Sequence, residues 1–226
     1  MSKSVELELT RLRQGLYRFF AVAFLPPEQE QIEQLAMAAD LLEDLGVDTL
    51  AFDQAWKEMV RWLRTPVNVD SLAAQYVHLF ESGSDGALCP PVESFYLSSP
   101  HQGGTALVTA DLEADFNRLG LGVAGRSEQG VDHISPQLEL MALLCAQEAT
   151  AAECGDLESV STWNHEQLRF TDSHLSRWVP LFASRIGAVA THGFYQALVA
   201  AVHAYVEHDR ELLHALEQRE RTGHLS

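Results

Sequence analysis

Apolar residues recur along this chain at intervals of three and four, the period of a helix that buries one face. Leu12, Leu16, Phe19 and Ala23 mark the inner stripe of a first helix, which Pro26 and Pro27 must end. A second is predicted from about Glu28 to Leu45, closed by Gly46. A third starts at the N-cap candidate Asp48, turns Phe52, Trp56, Val60 and Leu63 inward and stops before Thr65-Pro66. Asp70 is the candidate cap of a fourth, running through Tyr76 and Phe80. After a loop, the stretch ALVTADLEADFNRLG reads as a short helix ended by Gly120. Ser135 as N-cap with Pro136 in the first helical position opens the next, whose Leu138, Met141, Leu144 and Cys145 form a stripe. Further helices are predicted at Leu157 to Phe170, Leu175 to Val189 and Phe194 to about Gln218, and no stretch reads as a strand. The expected fold is all-α, a single globular bundle of about eight or nine helices over residues 1–226.

Two interruptions, 82–105 and 120–134, are longer than connections in a helical bundle need to be. The first contains LCPPVESFYLSSP. Pro90 and Pro91 stiffen it, and Glu93, Ser94 and Tyr96 follow as a carboxylate, a hydroxyl and a phenol able to project into one cleft. The bland alternative is a rigid loop plugging the bundle with Phe95 buried. The second holds VDHISPQLELM, with Asp132 and His133 just ahead of a helix N-terminus. Asp132 reads either as an alternative cap, favoured by the helix dipole, or as an acidic contact for a guanidinium.

Composition narrows the function classes. The 226 residues are 46% hydrophobic and 21% charged, an ordinary folded mixture. Fifteen Lys and Arg against 32 Asp and Glu leave a formal charge of −17, which repels nucleic acid and anionic lipid and attracts cationic ligands. Cys89, Cys145 and Cys154 lack the spacing of a zinc knuckle and the number of a disulfide framework, which suits a reducing compartment. The N-terminal apolar run FFAVAFL is preceded by acidic residues and followed by Pro-Pro, unlike a signal peptide, and the longest C-terminal run is interrupted by Gln196 and His203 and is too short to span a bilayer. A cytoplasmic protein without stable membrane insertion is expected. GLGVAG, beginning at Gly120, matches a dinucleotide fingerprint in spacing but follows a helix instead of a strand, and no phosphate-binding P-loop occurs. No metal-ligand pair of the H-E-x-x-H kind and no nucleophile elbow is present, so neither enzyme, cofactor nor metal is indicated.

The order of YVHLFESGSDGALCPPVESFYL, then VDHISPQLELMALL, then HLSRWVPLF and FYQAL resembles the TorD/DmsD family of molybdoenzyme maturation chaperones. Tyr76, Leu79 and Phe80 match a Y-x-x-L-F segment. Pro90, Pro91, Glu93, Ser94 and Tyr96 match a proline-rich loop, and Asp132, His133, Leu138, Glu139 and Met141 match most of a third stretch. Val92 stands where the family usually has an aromatic, and Val131 where it has a proline. The resemblance implies a TorD-like helical fold and no catalysis. It implies as partners the apo catalytic subunit of a molybdopterin oxidoreductase of the dimethyl-sulfoxide-reductase type and its twin-arginine leader, with weak guanine-nucleotide binding open. The leader-binding residues it implies are Asp132, His133, Glu93, Ser94, Tyr96, Pro90, Pro91, Tyr76 and Phe80. A helical scaffold or regulator of another basic partner is the competing reading.

Overall fold

Helix α1 (Lys3–Ala23) is the element on which the others assemble. In the computed structural model, which describes residues 3–47, 50–66, 68–81, 86–98, 104–120, 130–190 and 193–223, α1 packs most extensively on α7 (Ile134–Cys154). Around that pair lie α2 (Gln29–Asp44), α3 (Asp53–Arg64), α4 (Val69–Phe80), α6 (Thr105–Arg118), α8 (Leu157–Phe170), α9 (Ser176–Val189) and α10 (Phe194–Gly223). The short α5 (Glu93–Leu97) lies inside the proline loop, where no helix was expected. A π turn, Thr171–Leu175, joins α8 to α9 without a break. No strand occurs among the described residues beyond one isolated bridge, so the all-helical expectation holds.

The predicted stripes are the buried ones. Leu12, Leu16, Phe19 and Ala23 of α1, Phe52 at the head of α3 with its Trp56, Val60 and Leu63, and Leu138, Met141, Leu144 and Cys145 of α7 all belong to one continuous core. Aromatic rings fill its centre: Phe20 meets Trp56 edge-on at 6.0 Å, and Tyr17 meets Tyr205 of α10 at 4.9 Å. Rings packed this way add to what their burial alone contributes.

The boundaries differ where side-chain capping competes. Asn68, not Asp70, caps α4, its side chain accepting from the Ser71 N–H at 2.9 Å. α3 begins at Asp53, and its proposed cap Asp48 lies outside the described residues, as do residues 121–125 of the glycine-rich hexapeptide. α10 continues past Gln218 to Gly223. Ser135 does not cap α7 either. The helix begins two residues earlier, at Ile134, His133 is its N-cap, and the freed Ser135 hydroxyl donates to the Ala21 carbonyl of α1 at 2.9 Å. Pro136 still falls in the first turn, where a missing N–H has no intrahelical acceptor to disappoint.

A polar network crosses this core. Arg13 of α1 donates to Asp209 of α10 at 2.5 and 3.1 Å, to Glu148 of α7 at 3.0 Å and to Gln167 of α8. Tyr17 also donates to Asp209, at 2.7 Å, and Thr10 to Glu148, at 2.7 Å. All four members of the Arg13 cluster are buried, so each polar atom depends on its protein partners in place of water. Burial opposes the Arg13 charge, but Asp209 and Glu148 outweigh it and hold the guanidinium firmly protonated.

Candidate functional site

The chain leaves α4 at Phe80 and returns to it. The Cys89 N–H donates to the Leu79 carbonyl at 2.7 Å, which aims Pro90 and Pro91 across the bundle. There the proline loop meets the entrance of α7: Ile134 N–H donates to Pro91 O at 2.9 Å and Glu93 N–H to Asp132 O at 2.8 Å, a bridge between Val92 and His133. The Ser94 hydroxyl donates to Asp132 Oδ2 at 2.5 Å. The two sequence constellations are thus one structural unit, joined by backbone and side chain.

Gly130 shapes the approach to Asp132. Its φ of 84° is a left-handed conformation, and a Cβ there would lie 3.3 Å from Asp132 Oδ1. Gly130→Ala is expected to cost about 1–2 kcal/mol, read as a lower melting temperature, because the conformation disfavours any side chain.

His133 is buried and committed. Its Nδ1 accepts the Ser135 N–H at 3.1 Å, so the proton of the neutral ring sits on Nε2, and burial pushes its pKa down to about 4. Asp132 is half-buried, while Phe95, expected inside if the loop were a plug, is 43% exposed with Arg185 stacked on it at 4.9 Å. Tyr96 stacks on Trp178 at 5.7 Å, and its buried hydroxyl has no hydrogen-bond partner among the described residues. Tyr76 and Phe80 are core residues: the Tyr76 hydroxyl donates to Phe24 O at 3.2 Å, and Phe80 packs on Tyr195 at 5.0 Å. They anchor the loop's origin and do not line its surface.

Glu93 turns inward. It is 2% exposed, accepting from Gln137 Nε2 at 2.9 Å and contacting His174 Nδ1 at 3.0 Å. The opposite nitrogen of His174, Nε2, lies 3.1 Å from Asp115 of α6. Gln137 is oriented in turn by the Trp178 indole N–H, at 3.1 Å. Burial works against a charged His174, but Glu93 and Asp115 together outweigh it and raise its pKa above the ordinary 6.5.

This ring forms the back of a cleft of about 580 Å³ between α5, α6 and the π turn. Its walls carry Glu93, Asp111, Asp115 and Asp172 against Arg169, Arg177 and His174, with Leu97, Leu107 and Val108 as apolar surface. Of the residues named from sequence, only Glu93 reaches it. Among the described residues no cluster of three or more potential ligands is arranged to hold a metal, and the geometry shows why at this centre: Glu93 and Asp115 sit on opposite edges of one imidazole and diverge.

His174, Asp115 and Gln137 were invisible to periodicity. The available signal was the gap between the helices predicted to end at Phe170 and begin at Leu175, where TDSH holds the polar residues that the π turn presents.

The sequence profile of the family described as nitrate reductase delta subunit matches residues 48–184. The chain is 31% identical over 166 residues to the chaperone protein TorD of Photobacterium profundum, covering 71% of this chain and 72% of that protein. The chain belongs to the TorD family of molybdoenzyme maturation chaperones. A second TorD-named relative, from Salmonella bongori, is 27% identical over 220 residues, 92% of this chain and 93% of its own. A perchlorate reductase assembly chaperone from Dechloromonas aromatica is 24% identical over 157 residues, 68% and 67% of the two chains. The fold is similar to a crystal structure described as that of a redox enzyme maturation protein from Archaeoglobus fulgidus, with a TM-score of 0.53, 18% identity and coverage of 86% and 93%. TorD-family relatives are named chaperones and assembly proteins, and this chain is a chaperone, not an enzyme. None of its described helices is long and apolar enough to cross a membrane.

Proposed function

We propose that this chaperone serves the apo catalytic subunit of a molybdopterin oxidoreductase of the dimethyl-sulfoxide-reductase type. It binds that subunit's twin-arginine leader in the cytoplasm and withholds it from export until the cofactor is inserted. The observation that supports this reading is the joining of the proline loop to the α7 entrance, which brings Ser94 onto Asp132 and carries Glu93 into the wall of the cleft. A leader with paired arginines and a following apolar stretch calls for carboxylates next to apolar surface. The chain's formal charge of −17 also accelerates encounter with a basic segment.

Two structural details refine the contact set. In this reading the buried His133 acts on the surface only through α7, and the leader contacts the half-buried Asp132, the exposed Phe95 ring and, at the cleft rim, Asp111. Asp132→Ala is expected to weaken a synthetic twin-arginine peptide about ten- to a hundredfold, the loss of one charge-assisted contact worth about 1.5–3 kcal/mol. The lost Ser94 hydrogen bond would lower stability by only about 1 kcal/mol. Calorimetric titration and a thermal melt separate the two. A variant that melts lower but binds as tightly as the parent would remove Asp132 from the contact surface. Failure to capture a molybdoenzyme subunit from cells expressing one would count against the whole reading.

A further inference from the structure

His174 occupies an unusual electrostatic position. Its two ring nitrogens face carboxylates on different helices, Glu93 of α5 at 3.0 Å and Asp115 of α6 at 3.1 Å. A carboxylate accepts and does not donate, so satisfying both requires a hydrogen on each nitrogen, and the ring is an imidazolium. The other charges around it are already engaged. Arg169 of α8 at 2.9 Å and Arg118 of α6 at 3.7 Å share Asp115, and Asp172 of the π turn is held by Arg210 of α10 at 2.5 Å and approached by His214 at 3.7 Å. Arg177 of α9 donates to the Ser173 carbonyl at 3.3 Å, and α7 contributes the neutral Gln137 amide on Glu93. Asp111 stands exposed at the cleft rim. The inner carboxylates of the cleft therefore already serve a cation, one whose charge depends on a single removable proton.

We propose that seating a leader guanidinium in this cleft expels one proton from His174, so that binding and deprotonation are coupled. This rests on the leader-binding reading above. The balance is simple: the guanidinium takes the place of one ring N–H at Glu93 or Asp115, that proton passes to buffer, and the net charge of the site is unchanged. The neutral ring keeps one N–H for the carboxylate left to it. Affinity then rises with pH by up to about tenfold per unit as pH approaches, from below, the range in which His174 titrates in the free protein, and levels off above that range. His133 does not confuse the effect, since burial keeps it neutral well below that range.

The test is calorimetric titration at about pH 7 with a synthetic peptide carrying two adjacent arginines before an apolar stretch, run in two buffers of different ionisation enthalpy. The parent should show a buffer-dependent heat corresponding to release of up to one proton per peptide. His174→Gln should still bind the peptide and lose that dependence. Peptide binding without buffer dependence in the parent, or with equal dependence in the variant, would overturn the coupling and leave leader recognition standing. No binding by the parent in either buffer would defeat the leader reading and the coupling with it. Should His174→Gln fail to fold, ring resonances of the parent decide: with saturating peptide the His174 titration midpoint should move to lower pH, and an unmoved midpoint rejects the proposal.

Discussion

Arg13→Leu is expected to lower stability by about 3–5 kcal/mol, a fall in melting temperature of about 6 °C or more for a chain of this size. Leucine suits the core in volume, but it leaves Asp209 and Glu148 buried with no cation between them, while Gln167 and Tyr17 still point at the vacated centre. Removing one partner of a buried network is costly because the others cannot return to water. Arg11 supplies the contrast two residues away. Its pair with Glu153 is exposed, at 57% and 47% of the two side chains, and Arg11→Ala should change stability by less than about 1 kcal/mol. Denaturant titrations of the two variants should therefore separate clearly. Equal losses would mean that the Arg13 network contributes no more than a surface pair.

The second large effect is a pH dependence with a worked sign. His133 has its pKa depressed from 6.5 to about 4 by burial, so the folded state prefers the neutral ring. Its contribution is fully present above about pH 6.5 and is lost as pH falls through 4, amounting to about 3 kcal/mol once both states are protonated. His133→Asn retains a side chain able to cap α7 but cannot titrate, so its stability should decline less between pH 7 and 4. The carboxylates common to both proteins cancel in the difference. Identical acid profiles for parent and variant would contradict the buried, neutral assignment. His174 carries the opposite sign: its pKa is raised, so its contribution is complete below 6.5 and fades as pH rises through the folded value. Two histidines that both touch the α5–α7 region thus penalise departures from neutrality in opposite directions.

Helix existence was legible because it depends on repeated burial. Leu12, Leu16, Phe19 and Ala23 announce an inner face wherever their partners come from, and the structure confirms them in the core. Caps were less legible, since Asn68 and Asp70, or His133 and Ser135, offer similar chemistry two residues apart and tertiary contacts choose between them. Arg13, Glu148, Gln167 and Asp209 could not be recognised at all: a charged residue on a helix normally faces water, and only the meeting of α1, α7, α8 and α10 shows that these four face each other. The candidate site divides the same way. Glu93, Ser94 and Asp132 stood out through loop composition, and they do meet. Asp111 and Asp115 lie on a helix that the sequence announced without marking those carboxylates, and His174 depends on a π turn that periodicity reads only as a gap.

The bridge between Val92 and His133 also changes what chain length means here. With Pro91 bonded to Ile134 and Glu93 to Asp132, and with the Ser94 hydroxyl on the Asp132 carboxylate, the intervening chain is a closed loop. α6 within it is fixed separately, through Asp115 to Arg169 and His174. Residues added between these anchor points lengthen loops already closed, and doubling such a loop costs only about 0.6 kcal/mol of closure entropy. Insertions in the loops on either side of α6 are therefore nearly free, whereas a substitution at Asp115 loosens α6 and the cleft wall it carries.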